Sequence, residues 1–164
     1  AAICTQVLID LYAVDCIINV GVAGAIDKSL TIGDIVISSD AMYHDFDTTA
    51  VGDAPGEISG IDTSCFPADE RLVELARSTV ESLGYPVYVG RVVSGDQFVA
   101  SAEVKNRIRT LFKPMCCEME GAAIAHTAYL NKIPFVIIRS ISDNADEAVN
   151  VDYDRFFRES PPEK

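Results

Sequence analysis

The sequence predicts an α/β fold in which helices flank a central sheet that is mixed or mostly parallel. Apolar, β-branched runs alternate with helical patterns along the 164 residues, an order typical of layered α/β proteins. The run PFVIIRSISD (residues 134–143) is apolar almost throughout, which predicts a strand covered on both faces. The length suits one domain with a sizeable core, so we expect residues 1–164 to form a single domain.

The first half of the chain predicts one helix and two strands. AAICTQVLIDLY reads as a helix already under way at the first residue, and DCIINVGVAGAI (15–26) as a strand that breaks at its glycines. DIVISSDAMY (34–43) is a second strand. The segment 48–66 is rich in Gly, Pro, Asp and Ser, and loops of this length are usually lids or binding loops.

The second half predicts three helices and three strands in alternation. The stretch 68–84 is an amphipathic helix that stops at Gly84, with an apolar stripe formed by Leu72, Ala76, Val80 and Leu83. After the strand PVYVGRVVSGD, Ser101 begins a helix whose apolar face is Val104, Ile108 and Leu111. PMCCEM (114–119) is a short strand, and EGAAIAHTAYLNK (120–132) is the third helix.

Charge and cysteine content exclude several classes of protein. The net charge is −12, and no Lys or Arg occurs between Lys28 and Arg71, so phosphate backbones and anionic lipids are repelled. No apolar stretch is long enough to span a membrane, and no signal peptide is recognisable. The five cysteines include no CxxC pair, which argues against a disulfide framework or a zinc site. We therefore expect a cytoplasmic protein without nucleic-acid or membrane partners.

Candidate functional residues follow the predicted strands, because α/β sheets bind ligands beyond the carboxyl ends of their strands. The glycines of NVGVAGAI resemble a Gly-rich phosphate loop only weakly, and the alternative is a tight turn where the backbone passes close to another group. Phe98 either stacks on a flat ligand or packs in the core. Arg139 interrupts an apolar strand and needs an anionic partner, for which Glu118 and Glu120 are the nearest candidates. Asp143 is either a catalytic residue or the N-cap of a following helix.

The stretch MCCEMEGAAIAH contains the two acids that these arguments favour. Glu118 and Glu120 are two residues apart, so on an extended segment they point the same way. A carboxylate of Glu120 at the start of the following helix stays ionised and suits the vicinal hydroxyls of a ribose. By contrast, YHDFD (43–47) is either a metal site or a solvated loop, and we predict no metal.

Five motifs together resemble one known superfamily. NVGVAGAI, GDIVISSDAMYHDFD, VVSGDQFV, CEMEGAAIAH and PFVIIRSISDNAD resemble the nucleoside phosphorylases and nucleosidases, most closely the 5′-methylthioadenosine/S-adenosylhomocysteine nucleosidases. The resemblance implies a three-layer sandwich of the nucleoside phosphorylase type. It also implies hydrolysis of the N-glycosidic bond of both nucleosides to adenine and a 5-thioribose, without a cofactor, by a homodimer.

The resemblance also implies residue roles. Asp143 is the general acid that protonates the leaving adenine, and Ser142 helps to hold it. Arg139, with Glu120, helps to place the attacking water. The substrate-binding set has Glu120 on the ribose hydroxyls, Glu118 as a further member, Met119 on the sugar, Phe98 and Val99 on the base, and Ala23 and Gly24 along the wall. Thr48, Val51 and Ser59 are expected at the dimer interface, near the 5′ group bound by the neighbour.

Departures from the family pattern keep alternatives open. Hexameric phosphorylases of this superfamily have Arg-x-Gly-Ser where this chain has residues 19–22 as NVGV, so water is the expected nucleophile. The closest nucleosidases often have Ser in place of Val22. An upstream strand with a water-activating Glu and part of a C-terminal helix are not in the sequence, so we expect the chain alone to turn over poorly. The alternatives are a futalosine, AMP or purine nucleosidase or phosphorylase, and a non-catalytic nucleoside-binding fragment. A flavin- or dinucleotide-binding protein is disfavoured because G-x-G-x-x-G is missing.

Overall fold

The computed structural model describes residues 1–145 together with residues 155, 156 and 158. Four helices lie in this part of the chain: α1 (Ala2–Tyr12), α2 (Glu70–Ser82), α3 (Ala102–Phe112) and α4 (Gly121–Asn131). Six strands accompany them: β1 (Ile17–Ala25), β2 (Ile35–Tyr43), β3 (Phe66–Pro67), β4 (Val87–Ser94), β5 (Cys116–Glu118) and β6 (Phe135–Asp143). The alternation of strands and helices that the sequence predicts is confirmed.

The strands form one mixed sheet in the order β3-β2-β4-β5-β1-β6. The pairs β1–β6, β2–β4 and β4–β5 are parallel, whereas β1–β5, β2–β3 and β2–β6 are antiparallel. Because β2 also pairs with β6, the sheet bends round until its first long strand meets its last. The carboxyl ends of β1, β4, β5 and β6 lie together at one rim, because Gly24 pairs with Cys117 and Asp143 while Ser94 pairs with Glu118.

The helix boundaries follow from their caps. Asp69 precedes α2, and its carboxylate accepts hydrogen bonds from the backbone N–H groups of Arg71 and Leu72. Leu83 is exposed, contrary to the predicted apolar stripe, because α2 ends at Ser82 and Leu83 already belongs to its cap. Gly84 follows with φ +80°, a conformation that suits glycine and stops the helix.

Helix α3 begins after Ser101 as predicted, although the Ser101 side chain makes no capping hydrogen bond. The predicted apolar face is wrong at one position, since Leu111 is exposed while Ile108 and Phe112 are buried. A spacing of four residues keeps Ile108 and Phe112 on one side of the helix. This face packs on a cluster that includes Val93 and Val99, next to the rim where the strands end.

The larger core cluster lies between the sheet and α4. It includes Val92, Ile137 and Ile141 from the strands and Ala125 and Ala128 from α4. Their small side chains let the helix lie close to the sheet. Within the described part of the chain, no helix combines the length and apolar character needed to cross a membrane.

Candidate functional site

A cleft lies at the rim formed by the ends of β1, β4, β5 and β6. Its lining consists of Val22, Ala23, Gly24, Gln97, Phe98, Val99, Cys117, Glu118, Met119, Glu120, Ser142 and Asp143. The site that the sequence predicts at the strand ends is therefore a single concave surface. Of the predicted substrate-binding residues, only Arg139 is absent from this lining, because it lies behind the cleft wall.

Arg139 is buried and its partner is Glu118. Only 1% of Arg139 is exposed, and its Nη2 and Nε donate to Glu118 Oε2, the latter over 3.2 Å. On its other side, the guanidinium donates to the side-chain oxygen and the backbone carbonyl of Asn19. The buried cation thus has a counter-charge and hydrogen-bond acceptors, which a guanidinium inside a protein requires.

Glu118 and Glu120 both approach Arg139 Nη2 and both line the cleft, as side chains that point the same way would, but they differ in burial. Strand β5 ends at Glu118, and Glu120 already has the backbone angles φ −128° and ψ −35° before α4 begins, so period-two alternation stops between them. The Glu118 side chain is buried, whereas that of Glu120 is 57% exposed and lies 3.9 Å from Arg139 Nη2. The main partner of Arg139 is therefore Glu118, and Glu120 faces the open cleft.

The carboxylate at the N-terminus of α4 is also Glu118. Its oxygens accept hydrogen bonds from the Gly121 N–H at 2.9 and 3.0 Å and from the Glu120 N–H at 3.1 Å. Glu120 itself makes no side-chain capping hydrogen bond. The stabilisation of an anion by a helix start, which the sequence analysis assigned to Glu120, thus acts mainly on Glu118.

Ser94 is a site residue that the sequence analysis missed. Its hydroxyl donates to Glu118 Oε1 and accepts from the Ala122 N–H at 2.6 Å, which ties the end of β4 to β5 and α4. Ser94 is 2% exposed. Ser94 ends β4, and its two partners lie 24 and 28 residues away along the chain, so local sequence gave no signal for this role.

Asp143 lies at the end of β6 with both carboxylate oxygens hydrogen-bonded. Ser142 Oγ donates to Oδ2 at 2.8 Å, and the Ala145 N–H donates to Oδ1 at 2.8 Å. The contact predicted between Ser142 and Asp143 is thus present. The helix that Asp143 was alternatively expected to cap falls on NADEA, whose residues from 146 onward lie outside the described part.

A β-bulge explains why Ser142 and Asp143 both line the cleft. The register passes from Ala23 opposite Ile141 to Gly24 opposite Asp143, so Ser142 is the extra residue. Strict alternation would put Ser142 and Asp143 on opposite faces of the sheet. A bulge redirects side chains locally, and here it brings the hydroxyl to the carboxylate.

Gly24 marks a close approach rather than a tight turn. It lies within β1, and a Cβ added there would be 2.8 Å from Asp143 Oδ1 and 2.8 Å from Ala145 Cβ. Gly21 likewise lets the backbone pass close to Arg139, because a Cβ added at Gly21 would be 2.9 Å from Arg139 Nη1. The predicted tight turn is therefore wrong, because both glycines lie within β1, while the close approach that was predicted with it is confirmed.

The apolar wall of the cleft combines exposed and buried side chains. Phe98 is 49% exposed and Met119 is 42% exposed, so Phe98 is not the core residue of the alternative interpretation. Val99 is buried beside them. Cys117, which the sequence analysis did not select, also lines the wall, and burial, with smaller effects from Asp143 and Glu118, raises the pKa of its thiol to about 12.

The lining of the cleft does not include Thr48, Val51 or Ser59 of the same chain. Val51, in a short 3₁₀ turn, is 79% exposed, and Ser59 Oγ donates to Asp53 at 2.9 Å within the same loop. Near this loop, His44 is buried with no hydrogen bond to Nε2, and burial lowers its pKa. Residues 1–145 and the three described beyond them contain no group of three metal-ligating side chains.

Comparison with known proteins supports one family. The sequence profile of the Phosphorylase superfamily matches residues 1–160. The chain is 44% identical over 161 residues to a 5′-methylthioadenosine/S-adenosylhomocysteine nucleosidase of Staphylococcus carnosus (strain TM300), with 98% of this chain and 70% of that protein covered.

Solved structures give the same result. The nucleosidase from Neisseria meningitidis in complex with methylthio-immucillin-A has a TM-score of 0.90 and 41% identity, covering 94% of this chain and 68% of that one. The futalosine hydrolase of Helicobacter pylori strain 26695 has a TM-score of 0.92 and 33% identity, covering 97% and 68%. The chain therefore belongs to the phosphorylase superfamily and, within it, to the 5′-methylthioadenosine/S-adenosylhomocysteine nucleosidases.

Proposed function

We propose that the cleft hydrolyses the N-glycosidic bond of 5′-methylthioadenosine and S-adenosylhomocysteine, releasing adenine and a 5-thioribose. The observation that carries the proposal is Asp143, a carboxyl group held by Ser142 and the Ala145 N–H at the end of a cleft lined by Phe98 and Glu120. Relatives at 44% and 41% identity bear this activity in their names, and the second binds a methylthio-immucillin.

Asp143 supplies the proton that the leaving base needs. When the bond between the anomeric carbon and the base nitrogen breaks, its electron pair moves onto the adenine, which is a poor leaving group as an anion. A proton passed from the Asp143 carboxyl to a ring nitrogen neutralises that charge, and general acid catalysis of this kind contributes about 10²–10⁴-fold. Ser142 and the Ala145 N–H fix the carboxyl orientation for the transfer.

The remaining lining binds the base and the sugar. The half-exposed ring of Phe98 stacks on adenine, the Val99 backbone meets the base edge, and Ala23 and Gly24 form the facing wall. Glu120 accepts hydrogen bonds from the ribose hydroxyls, and Met119 packs on the sugar. The negative charge of Glu120 also stabilises the oxocarbenium-like transition state, as carboxylates do in glycoside hydrolysis.

Water is the nucleophile rather than phosphate. Among the described residues that line the cleft there is no Lys or Arg, so a phosphate dianion would lack a charged partner in this part of the site. The guanidinium of Arg139 is directed to Glu118 and Asn19 behind the wall. Arg139 Nη2 also lies 3.9 Å from a carboxylate oxygen of Glu120, which is consistent with the sequence-based prediction that these two residues place the water together. The Glu118–Arg139 pair supports the cleft wall next to Glu120.

A homodimer accounts for the exposed loop. Thr48, Val51 and Ser59 contribute nothing to the cleft of their own chain, and Val51 projects an apolar side chain into solvent. We propose that this loop covers the 5′ group of a nucleoside bound by the partner subunit. Light scattering at micromolar concentration is expected to give a dimer that Val51→Asp weakens, and a monomeric wild type would contradict it.

Adenine release from 5′-methylthioadenosine, measured with and without inorganic phosphate, tests the proposed reaction. Equal rates and release of the free 5-thioribose are expected. A requirement for phosphate, or a phosphorylated sugar product, would overturn hydrolysis. Because a futalosine hydrolase has the same fold, the kcat/KM for futalosine is measured in parallel, and a value above those for both adenine nucleosides would overturn the substrate assignment.

A further inference from the structure

Lys105 connects α3 to the loop that follows Asp143. Its ammonium donates a hydrogen bond to the backbone carbonyl of Asn144, 39 residues along the chain. The neighbouring basic side chains of α3 have other partners, since Arg107 lies 3.7 Å from Asp47 and Arg109 donates to Asn106. Lys105 is half-buried at this contact and does not line the cleft.

The carbonyl that Lys105 binds lies in the middle of the turn that holds the Asp143 carboxylate. Ser142 precedes it and donates to one carboxylate oxygen, while the Ala145 N–H follows it and donates to the other. The same turn packs closely on Gly24, since a Cβ added at Gly24 would be 2.8 Å from Ala145 Cβ. A displacement of Asn144 therefore moves the Ala145 N–H and, through it, the carboxyl of Asp143.

The charges of Lys105 and Asp143 both act on Cys117 in the cleft wall. Burial is the main reason that the pKa of this thiol rises to about 12, the negative charge of Asp143 raises it further, and the positive charge of Lys105 lowers it. Both charges are thus close enough to act on the same side chain of the cleft wall. This is consistent with an ammonium that contacts the turn after Asp143 without lining the cleft.

We propose that Lys105 is a positioning residue, which holds Asp143 in its productive orientation through the backbone carbonyl of Asn144. The inference rests on the proposed function, in which Asp143 protonates the leaving base. An acid that is misplaced by about 1 Å loses on the order of 10²-fold in rate, so a turn with one anchor removed is expected to slow the chemical step more than binding.

The test compares Lys105→Met, Lys105→Arg and Arg109→Met in the enzyme at its full natural length. At position 105, Met keeps a long side chain but removes the charge, whereas Arg keeps a positively charged hydrogen-bond donor. Arg109→Met is the control, because it removes a charge from the same helix. For Lys105→Met we expect kcat for adenine release to fall about 10–100-fold, while KM changes by less than about threefold. Lys105→Arg restores most of the rate, and the control retains it.

Hydrogen exchange of the Ala145 amide gives a readout that does not depend on turnover. Faster exchange in Lys105→Met, but not in Lys105→Arg or the control, is expected. A wild-type kcat in Lys105→Met, or a rate in Lys105→Arg as low as in Lys105→Met, overturns the inference. If wild-type enzyme releases no adenine, the proposed function fails instead. Hydrogen exchange then still tests whether Lys105 holds the turn. Unchanged protection of the Ala145 amide in Lys105→Met would refute that contact's role.

Discussion

Replacing Glu118 with Gln tests the buried ion pair behind the cleft. The change keeps the size of the side chain but removes the negative charge that faces Arg139, of which 1% is exposed. The guanidinium keeps the neutral oxygens of Asn19 and the Ile138 carbonyl, 3.3 Å away. The new amide can accept through one oxygen only, so part of the donor set at the start of α4 is left unpaired.

The expected loss of stability follows from this geometry. Removing one partner of a buried ion pair costs about 3–5 kcal/mol, because the other charge stays in a site of low polarity. The carboxylate of Glu120, 3.9 Å from Arg139 Nη2 and half-exposed, offsets part of this cost. We therefore expect a loss of about 3 kcal/mol. For a chain of this size, such a loss lowers the melting temperature by roughly 6–12 °C.

Urea unfolding followed by circular dichroism at pH 7 measures the effect. A double-mutant cycle with Arg139→Met separates the pair from the single changes, and the double variant is expected to lose less than the sum of the single losses. Glu81→Gln is the control, because Glu81 pairs with Arg77 on the surface of α2 and its loss should not be measurable. A loss below about 1 kcal/mol for Glu118→Gln, or strict additivity in the cycle, would refute the reasoning.

Two further predictions concern Gly24 and His44. Gly24→Ala places a Cβ 2.8 Å from Asp143 Oδ1, so adenine release is expected to fall at least about 10²-fold while far-UV circular dichroism is unchanged; an activity near wild type would contradict the close approach. Burial lowers the pKa of His44 below its ordinary 6.5, so its NMR titration midpoint lies under that value. Because the unfolded chain binds this proton at a higher pH than the folded chain, the free energy of unfolding falls as the pH drops below about 6.5. In urea unfolding, His44→Phe is expected to reduce that fall. A His44 titration midpoint at the ordinary value would contradict the prediction.

The periodic parts of the fold could be predicted from the sequence. Strands β1, β2, β4 and β6 and helices α1 to α4 each carry enough residues for an apolar period to be visible. Which apolar residues a helix buries was harder to predict at its ends. Leu83 and Leu111 were both expected on a buried face, but both lie at a helix end and are exposed. The pairing of β2 with β6 is a long-range contact that no local pattern encodes.

The sequence predicted which residues form the site, but it did not predict which contact each of them makes. The motifs identify the two glutamates and Asp143, since charged side chains at strand ends are conspicuous. Which glutamate binds Arg139 depends on where β5 ends, and β5 has only three residues. The roles of Ser94 and Lys105 depend on contacts across 24 and 39 residues, and local sequence does not specify such contacts.

The bulge at Ser142 has a similar origin. Alternation along β6 separates Ser142 from Asp143, and only the register against β1 shows that one residue is unpaired. The resemblance to nucleosidases nevertheless implied that Ser142 helps to hold Asp143. The contact followed from the resemblance, and its geometric cause required the structure.

The most direct test of the account is the rate of adenine release from 5′-methylthioadenosine by Asp143→Asn, measured beside substrate binding. The amide keeps the shape of the side chain but cannot donate the proton. We predict a fall in kcat of about 10²–10⁴-fold, with affinity for the nucleoside retained. Release at the wild-type rate by Asp143→Asn would contradict the assignment of Asp143 as the proton donor and, with it, the proposed mechanism.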